Sequence, residues 1–277
     1  MGFSQRMGLK PLTKEIQIES IDDDLRNGLW NLLKMHILDV IPQQKYGSKS
    51  SEFQIFCSYI WHNYYKLPID RIPYDNYDCE SYIRETFFGY SWDEVYDFIE
   101  FNLNLEIENC EIESYIDELN ELLIREFSGY RVIERIICPI TNEIEIEEIR
   151  VAINQYTASE GANIHLSNAL AKLSDKKNPD YANSIKESIS ALGSFIRLLT
   201  GESTFGKGLN KLSSKGIIID EQIKGSVEKI YNYTNNKNGG IRHEIVEDHK
   251  SPDFDEAKLM LVLCSSYINF LISKSKK

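Results

Sequence analysis

The chain has 277 residues, of which 42% are hydrophobic and 11% are aromatic, enough apolar material for one large or two ordinary globular domains. Its formal net charge of −12 is unevenly distributed. Residues 158–277 carry 17 Lys and Arg against 14 Asp and Glu, or +3, which leaves 14 against 29, or −15, for residues 1–157. A surface so acidic repels phosphate, which argues against nucleic-acid binding by the N-terminal half.

No apolar run approaches the roughly 20 residues that a membrane-spanning helix needs, and the N-terminus lacks the apolar core of a secretory signal. The five cysteines are widely spaced and form no CxxC pair, which argues against a disulfide framework and against a structural zinc site. We therefore expect a cytoplasmic protein that binds neither a membrane nor a metal or other cofactor.

The N-terminal half is predicted to be helical. A short alternating stretch at 16–20 favours a strand, and apolar residues then recur at helical spacing in five segments. Ser91 and Glu94 have the spacing of a capping box at the start of the fourth. The five predicted helices cover residues 22–41, 51–67, 78–89, 91–104 and 110–129.

The centre of the chain breaks this pattern, because residues 130–141 contain branched and aromatic residues before a proline and predict a short hairpin. An acidic helix is predicted at 142–156. In the helix predicted at 178–201, Pro179 suits the first turn and Gly201 suits the C-terminal end. Asp253 and Glu256 again have capping-box spacing. The C-terminal helices are predicted at 158–175, 178–201, 204–216, 219–240 and 251–277.

These patterns predict a mainly α protein with three parts. Residues 1–130 form a helical N-terminal domain, residues 131–157 form a junction with a short hairpin-like segment and an acidic helix, and residues 158–277 form an up-and-down helical bundle.

The candidate site lies at NGGIRHEIVEDHKSPDF, residues 238–254, between the last two long helices. Arg242 has a planar fork that fits phosphate, and a helix beginning near it would offer free N–H groups to an anion. His249 lies two helical turns later, and His243 is the immediate neighbour. An arginine and a histidine suffice in principle for metal-independent RNA cleavage, because they stabilise phosphoryl charge and transfer a proton.

A structural interpretation of the same stretch stays open. Arg242 can anchor the loop, His243 can be a buried polar group, and His249 can be solvated. The intervening acids, Glu244, Glu247 and Asp248, repel phosphate, so spacing alone favours this structural role.

Other chemistries have less support in the sequence. It contains no Walker motif and no GxSxG elbow. His36 and His62 lie in aromatic or apolar helices, which favours structural roles. His165 has no cysteine or histidine at metal-ligand spacing.

Two regions resemble a known family. Residues 3–33 contain Phe3-Ser4, Arg6, Gly8, Lys10-Pro11, the run Ile18–Ser20 and the run Leu25–Trp30, and they resemble the N-terminal domain of AbiJ-type abortive infection proteins of bacterial phage defence. Residues 165–195, together with GGIRHEIVE and DFDEAKLMLVLCSSYINFL, look like the C-terminal domain of the same proteins, which is similar to the HEPN superfamily of helical bundles.

This resemblance implies a site as well as a fold. Many HEPN proteins are RNases with an arginine, a polar residue, a gap of four to six residues and a histidine, which Arg242, His243 and His249 match with residues 244–248 as the gap. The resemblance implies cleavage without metal in a homodimer that joins two such motifs. Glu187, on a neighbouring helix, is expected to meet Arg242, either to orient it or to neutralise it. Which histidine works with Arg242 stays open.

The leading hypothesis is a phage-defence endoribonuclease that acts on RNA as a homodimer through its C-terminal bundle. In the alternative, the bundle is a non-catalytic dimerisation or sensing module that binds a protein or RNA partner. In either case, the acidic N-terminal domain is expected to regulate, sense or recruit, with a phage-derived or regulatory protein as its partner.

Overall fold

A computed structural model describes residues 7, 15–42, 52–108, 110–154, 160–175, 178–235, 241 and 251–276. The chain divides into two compact units, Met1–Pro139 (unit 1) and Ile140–Lys277 (unit 2). Both are built mainly from helices, which confirms the predicted mainly α class.

Unit 1 contains five described α-helices and a two-stranded sheet. Short turns of other helix types follow α1, at Lys34–Leu38, and α2, at Ile69–Arg71. The elements are α1 (Asp23–Leu33), α2 (Glu52–Asn63), α3 (Asn76–Gly89), α4 (Trp92–Leu103), α5 (Ile112–Arg125), β1 (Arg131–Ile133) and β2 (Ile136–Cys138).

The start of α1 follows from the acidic run that precedes it. Asp22 is the N-cap, and its side chain accepts a hydrogen bond from the backbone N–H of Leu25 at 2.9 Å. The predicted helix of 22–41 is longer than the α-helix observed, because the chain widens into a π-helical turn at Lys34–Leu38. The carbonyl of Lys34 accepts from Asp39 N in this wider turn.

The core of unit 1 is rich in aromatic rings. All five described helices contribute to it, and α1 packs against α3, α4 and α5. Most neighbouring rings meet at tilted or edge-to-face angles, such as Trp61 on Tyr65 with centroids 5.1 Å apart. The large buried aromatic residues are Trp30, Phe53, Phe56, Trp61, Phe87, Tyr96, Phe98, Tyr115 and Tyr130.

The hairpin predicted at 130–141 is confirmed. Strands β1 and β2 pair antiparallel, with Arg131 opposite Cys138 and Ile133 opposite Ile136. The two turn residues, Glu134 and Arg135, both have positive φ, of 50° and 66°, as a twist-matched two-residue turn requires. By contrast, the strand predicted at 16–20 reduces to a single parallel bridge between Gln17 and Ser128.

Unit 2 is a bundle in which α8 is the central helix. It packs against α7, α11, α9 and α10, and α6 packs against α7 and α11. A short 3-10 turn, Ser213–Lys215, follows α9. The helices are α6 (Glu143–Asn154), α7 (Glu160–Ser174), α8 (Tyr181–Thr200), α9 (Phe205–Lys211), α10 (Glu221–Thr234) and α11 (Phe254–Ser275).

The ends of α8 follow its sequence signals with one correction. Gly201 caps its C-terminus in the left-handed conformation, with φ 74°, as predicted. Pro179 lies before the helix and not in its first turn, because Asp180 is the N-cap and bonds the backbone N–H of Asn183. The short side chain of Asp180 satisfies an otherwise unpaired N–H there.

Helix α11 is long and apolar enough to cross a membrane by length and composition alone. Its position in the bundle gives that composition another explanation. Ala257, Leu261, Cys264 and Ile268 are buried along it, and it packs on α6, α7 and α8. The apolar stretch therefore forms part of the core of unit 2.

Candidate functional site

Three of the four predicted site residues, Arg242, His243 and His249, lie outside the described residues. Ile241, directly before Arg242, is described and buried. The fourth predicted residue, Glu187, is also described and lies in α8. Among the predicted site residues, Glu187 therefore marks the site in the described structure.

Glu187 lies beside the apolar stripe of α8. Ile185, Ile189, Leu192 and Ile196 recur at spacings of three and four and are all buried, so this stripe fixes how α8 packs. Glu187 lies next to it, half-buried, where α8 faces α7. The partner that the described structure gives Glu187 is a histidine on α7, so its expected contact with Arg242 stays a prediction.

His165 is this partner. Its Nδ1 atom lies 2.6 Å from Oε2 of Glu187, and the two side chains are 33% and 19% exposed. A carboxylate that accepts from Nδ1–H fixes the tautomer and the orientation of an imidazole, and it leaves Nε2 to act on a ligand. A search for metal-ligand spacings misses this arrangement, because it joins a histidine to a carboxylate.

The register of α7 against α8 is the sequence signal that finds the pair. These helices form an antiparallel hairpin, in which paired residues are symmetric about the turn. The residue numbers of the pair His165 and Glu187 have their midpoint at 176. The pair Lys172 and Asp180, whose Nζ and Oδ2 atoms lie 3.4 Å apart, has the same midpoint. Ser184 and Ala169, joined by a hydrogen bond of 2.8 Å, are centred within one residue of it.

His165 opens onto a cleft of about 320 Å³, which we call the His165 cleft. Helices α7, α8 and α10 contribute to it, together with the turn that begins α9. Its lining residues are His165, Ile189, Ser190, Gly193, Arg197, Ser203, Thr204, Phe205 and Tyr231.

Arg197 gives the His165 cleft a positive charge. Its Nη2 atom donates to Oγ of Ser194 at 3.0 Å, and no carboxylate in the described ranges forms an ion pair with it. The nearby Glu202 is paired instead with Lys211, at 2.6 Å, and this ion pair lowers the pKa of the Glu202 carboxyl. Most N–H groups of the Arg197 guanidinium therefore stay open to an anion.

One wall of the His165 cleft is aromatic. The rings of Phe205 and Tyr231 stack with centroids 4.2 Å apart and planes 8° from parallel. Ser190, Ser203 and Thr204 add hydroxyl groups, and no described residue forms a hydrogen bond with their side chains. The His165 cleft thus combines a cation, an oriented imidazole, several hydroxyls and an aromatic surface.

A larger cavity, of about 550 Å³, lies in unit 1 and has a different character. Ile41, Ile55, Phe56 and Tyr59 make much of its lining apolar, and its charged groups are carboxylates such as Glu106. It lacks a histidine or arginine in its described lining. The larger cavity volume therefore lies in unit 1, while a histidine and an arginine, residue types capable of acid–base and anion chemistry, meet in unit 2.

The other unusual ionisable groups of unit 1 serve its core. Its interaction with the Cys79 thiol, together with burial, raises the pKa of the Cys57 thiol. Burial raises the pKa of Tyr96 to about 12, and its hydroxyl bonds that of Ser128 at 2.7 Å. His36 stacks on Tyr115 with centroids 5.1 Å apart. Within the described ranges, no group of three His, Cys, Asp or Glu is arranged to hold a metal.

Comparison with known proteins identifies the N-terminal part of the chain. The family model described as AbiJ N-terminal domain 4 matches residues 1–155, which is all of unit 1 and helix α6. No curated protein and no solved structure matches the chain at a significant level. Since the family model spans more than half of the 277 residues, the chain belongs to the AbiJ-type family defined by this N-terminal domain.

Proposed function

We propose that this AbiJ-type protein is a cytoplasmic abortive-infection endoribonuclease whose C-terminal bundle, unit 2, is of the HEPN type and cleaves RNA as a homodimer without a metal. The observation that supports it best is the His165 cleft. There Glu187, which lies in the stretch that resembles HEPN proteins, holds a histidine close to an arginine without a carboxylate partner in the described chain.

The proposed reaction divides between two kinds of residue. Arg242 stabilises the charge that develops on the phosphoryl oxygens as the 2′-hydroxyl attacks the neighbouring phosphorus. His243 or His249 transfers a proton, since histidine exchanges protons near neutral pH. The N-terminal half has no part in this reaction, because its net charge of −15 over residues 1–157 repels RNA.

Toxicity in the bacterial host and cleavage of RNA in vitro test the proposal. We expect wild type to cleave RNA in the presence of a chelator, and Arg242→Ala to lower the rate by about 10² to 10³, as loss of one transition-state donor does. His243→Asn and His249→Asn identify the working histidine by which of them loses activity. Lys215→Ala, an exposed cation of unit 2, and His62→Asn, an exposed histidine of unit 1, serve as controls.

Three results contradict the proposal: full activity and toxicity in Arg242→Ala and in both histidine variants, strict dependence on added Mg²⁺, or the absence of cleavage by wild type. The homodimer is tested separately by sedimentation of the full chain across a range of concentrations.

A second candidate is a non-catalytic module that binds a partner or a second copy through unit 2. The observation in its favour is the exposure of large apolar side chains on the bundle helices, including Ile164 on α7, Leu198 on α8 and Leu259 on α11. A stable dimer whose RNA binding and toxicity survive Arg242→Ala would favour this candidate over the enzyme.

A further inference from the structure

We propose that the His165 cleft is a binding site for one ribonucleoside monophosphate unit, with Arg197 on the phosphate and the histidine held by Glu187 on the sugar–phosphate edge. The inference rests on the proposed function for its biological meaning, because such a unit is one link of an RNA chain. The binding site itself consists of described residues outside the 238–254 segment.

The charge of the His165 cleft selects an anion. The guanidinium of Arg197 has one described hydrogen bond, to Ser194, and its planar fork matches two oxygens of a phosphate. No carboxylate is among the described residues that line the cleft, and the carboxylates of Glu187 and Glu202 are paired with His165 and Lys211. A phosphate in the cleft therefore meets a net positive surface.

The hydroxyls and the imidazole extend the recognition from phosphate to sugar. Ser190, Ser203 and Thr204 line the same cleft and can each donate or accept a hydrogen bond. With Nδ1 of His165 engaged by Glu187, the remaining Nε2 atom is available to a ribose hydroxyl or a phosphate oxygen. A bare anion such as phosphate leaves most of these groups unused.

The size of the cleft and its aromatic wall limit the ligand further. A volume of about 320 Å³ is at the lower end of the range for small-ligand sites, so the cleft suits one nucleotide and not an extended strand. The stacked pair of Phe205 and Tyr231 provides an apolar surface against which a base or the face of a ribose can pack.

Calorimetric titration of the full chain with adenosine 5′-monophosphate tests the site, with adenosine and inorganic phosphate titrated in parallel. We expect the monophosphate to bind more tightly than either fragment. Arg197→Ala should weaken it by about ten- to a hundred-fold, as loss of a charge-assisted hydrogen bond does. His165→Asn and Glu187→Gln should each weaken it less, and Lys215→Ala should bind like wild type. Circular dichroism checks that each variant is folded.

Several outcomes overturn the inference: no binding by wild type at millimolar concentration, equal binding of inorganic phosphate and nucleotide, or wild-type affinity in a folded Arg197→Ala variant. Preference for an acidic peptide over the nucleotide also overturns it, since that result assigns the cleft to a protein partner.

Arg242→Ala separates this inference from the proposed function. If RNA cleavage is absent in wild type while the monophosphate binds wild type and Arg242→Ala alike, the nuclease proposal fails. The inference that the His165 cleft binds a nucleotide is then retained. If wild type cleaves RNA but the cleft variants change neither nucleotide affinity nor cleavage, the nuclease stands and the His165 cleft is not its binding site.

Discussion

The two units differ in the kinds of side chain that form their cores. In unit 1 the core is built from interlocking aromatic rings, and its tyrosine hydroxyls and cysteine thiols are buried with raised pKa values for Tyr96, Tyr115 and Cys57. In the described part of unit 2 the buried aromatic rings are those of Phe195 and Phe205, and the rest of the core is mostly aliphatic. Burial also raises the pKa of the Cys264 thiol in unit 2, but His165 and Arg197 meet at a solvent-accessible cleft.

This difference indicates a division of labour. Groups whose charged forms are suppressed by burial contribute packing and are poor acid–base catalysts near neutral pH. His165, Glu187 and Arg197 are partly exposed and converge from α7 and α8. Unit 1 thus buries its ionisable groups in packing, whereas unit 2 keeps a histidine and an arginine accessible, as the proposed function requires.

The largest expected effect comes from the aromatic core. Trp61 is 1% exposed and contacts Tyr65 and Tyr82, so Trp61→Ala should lower the free energy of unfolding by about 3–5 kcal/mol. Hydrogen exchange followed by mass spectrometry should show lost protection in α2, α3 and α4. Tyr77→Ala, at a side chain 77% exposed, is the control and should leave exchange unchanged. Equal protection in both variants would show that the rings do not set the stability of unit 1.

The second prediction compares the stability effects of crowding close helix contacts in the two units. An added Cβ at Gly208 would lie 2.7 Å from Cγ2 of Ile196 and 3.2 Å from Oγ1 of Thr200. Both side chains are β-branched and cannot easily rotate away from the new atom. Gly208→Ala should therefore destabilise unit 2 by about 1–3 kcal/mol. At Gly28 the nearest atoms belong to the more flexible Leu122, so Gly28→Ala should cost less.

Gly206 is the matched control for this comparison, because it lies in the same short helix as Gly208 and a Cβ there meets nothing within 4 Å. Gly206→Ala should be neutral or stabilising by up to about 1 kcal/mol in thermal unfolding, since alanine favours the helix. A Gly208→Ala variant as stable as Gly206→Ala would show that α9 does not pack tightly on α8.

Much of the fold was predictable, because its signals are local. The capping boxes at Ser91–Glu94 and Asp253–Glu256 are both confirmed, as are the hairpin and the left-handed Gly201. Two of the wrong predictions lacked a clear local signal. Among the described residues, the stretch at 16–20 forms a single bridge, to Ser128, and the π-helical turn after Leu33 has no distinctive sequence pattern.

The candidate site was less predictable for a physical reason. The proposed cleavage motif is contiguous in sequence, so spacing alone could suggest it. The His165 cleft combines residues from four elements, and a single sequence does not state which helix faces meet. The hairpin symmetry about residue 176 is the exception, because it relates His165 to Glu187 without any other structural information.

A third prediction compares helix ends in the two units. In each capping box the N-cap side chain and the residue three positions later satisfy each other's backbone N–H groups. Ser91→Ala in unit 1 and Asp253→Ala in unit 2 should each cost about 1 kcal/mol in denaturant unfolding. Ser91→Asp and Asp253→Ser preserve a capping oxygen and should retain most of the stability. A loss equal to that of the alanine variants would assign the effect to something other than the cap.

The smallest effect concerns pH and the carboxylate of Glu100 in unit 1. Burial raises the pKa of this carboxyl above its ordinary value of 4.5, although Oε2 accepts a hydrogen bond from the backbone N–H of Ile137 at 2.6 Å. Because the folded-state pKa is the higher one, the stabilisation from this group is complete below about pH 4.5 and is lost as the pH rises through the folded value.

Glu100→Gln keeps an oxygen for Ile137 and removes the charge, so it should stabilise the protein at pH 7 and not at pH 4. Since the side chain is partly solvated, the gain should stay below about 1 kcal/mol. Thermal unfolding at both pH values measures it, with Glu106→Gln, the same change at an exposed position, as the control. A gain of equal size at pH 4 and pH 7 would mean that charge burial is not its cause. A gain confined to pH 7 would show that the charged carboxylate of Glu100, which joins α4 to β2 through its hydrogen bond from Ile137, lowers the stability of unit 1.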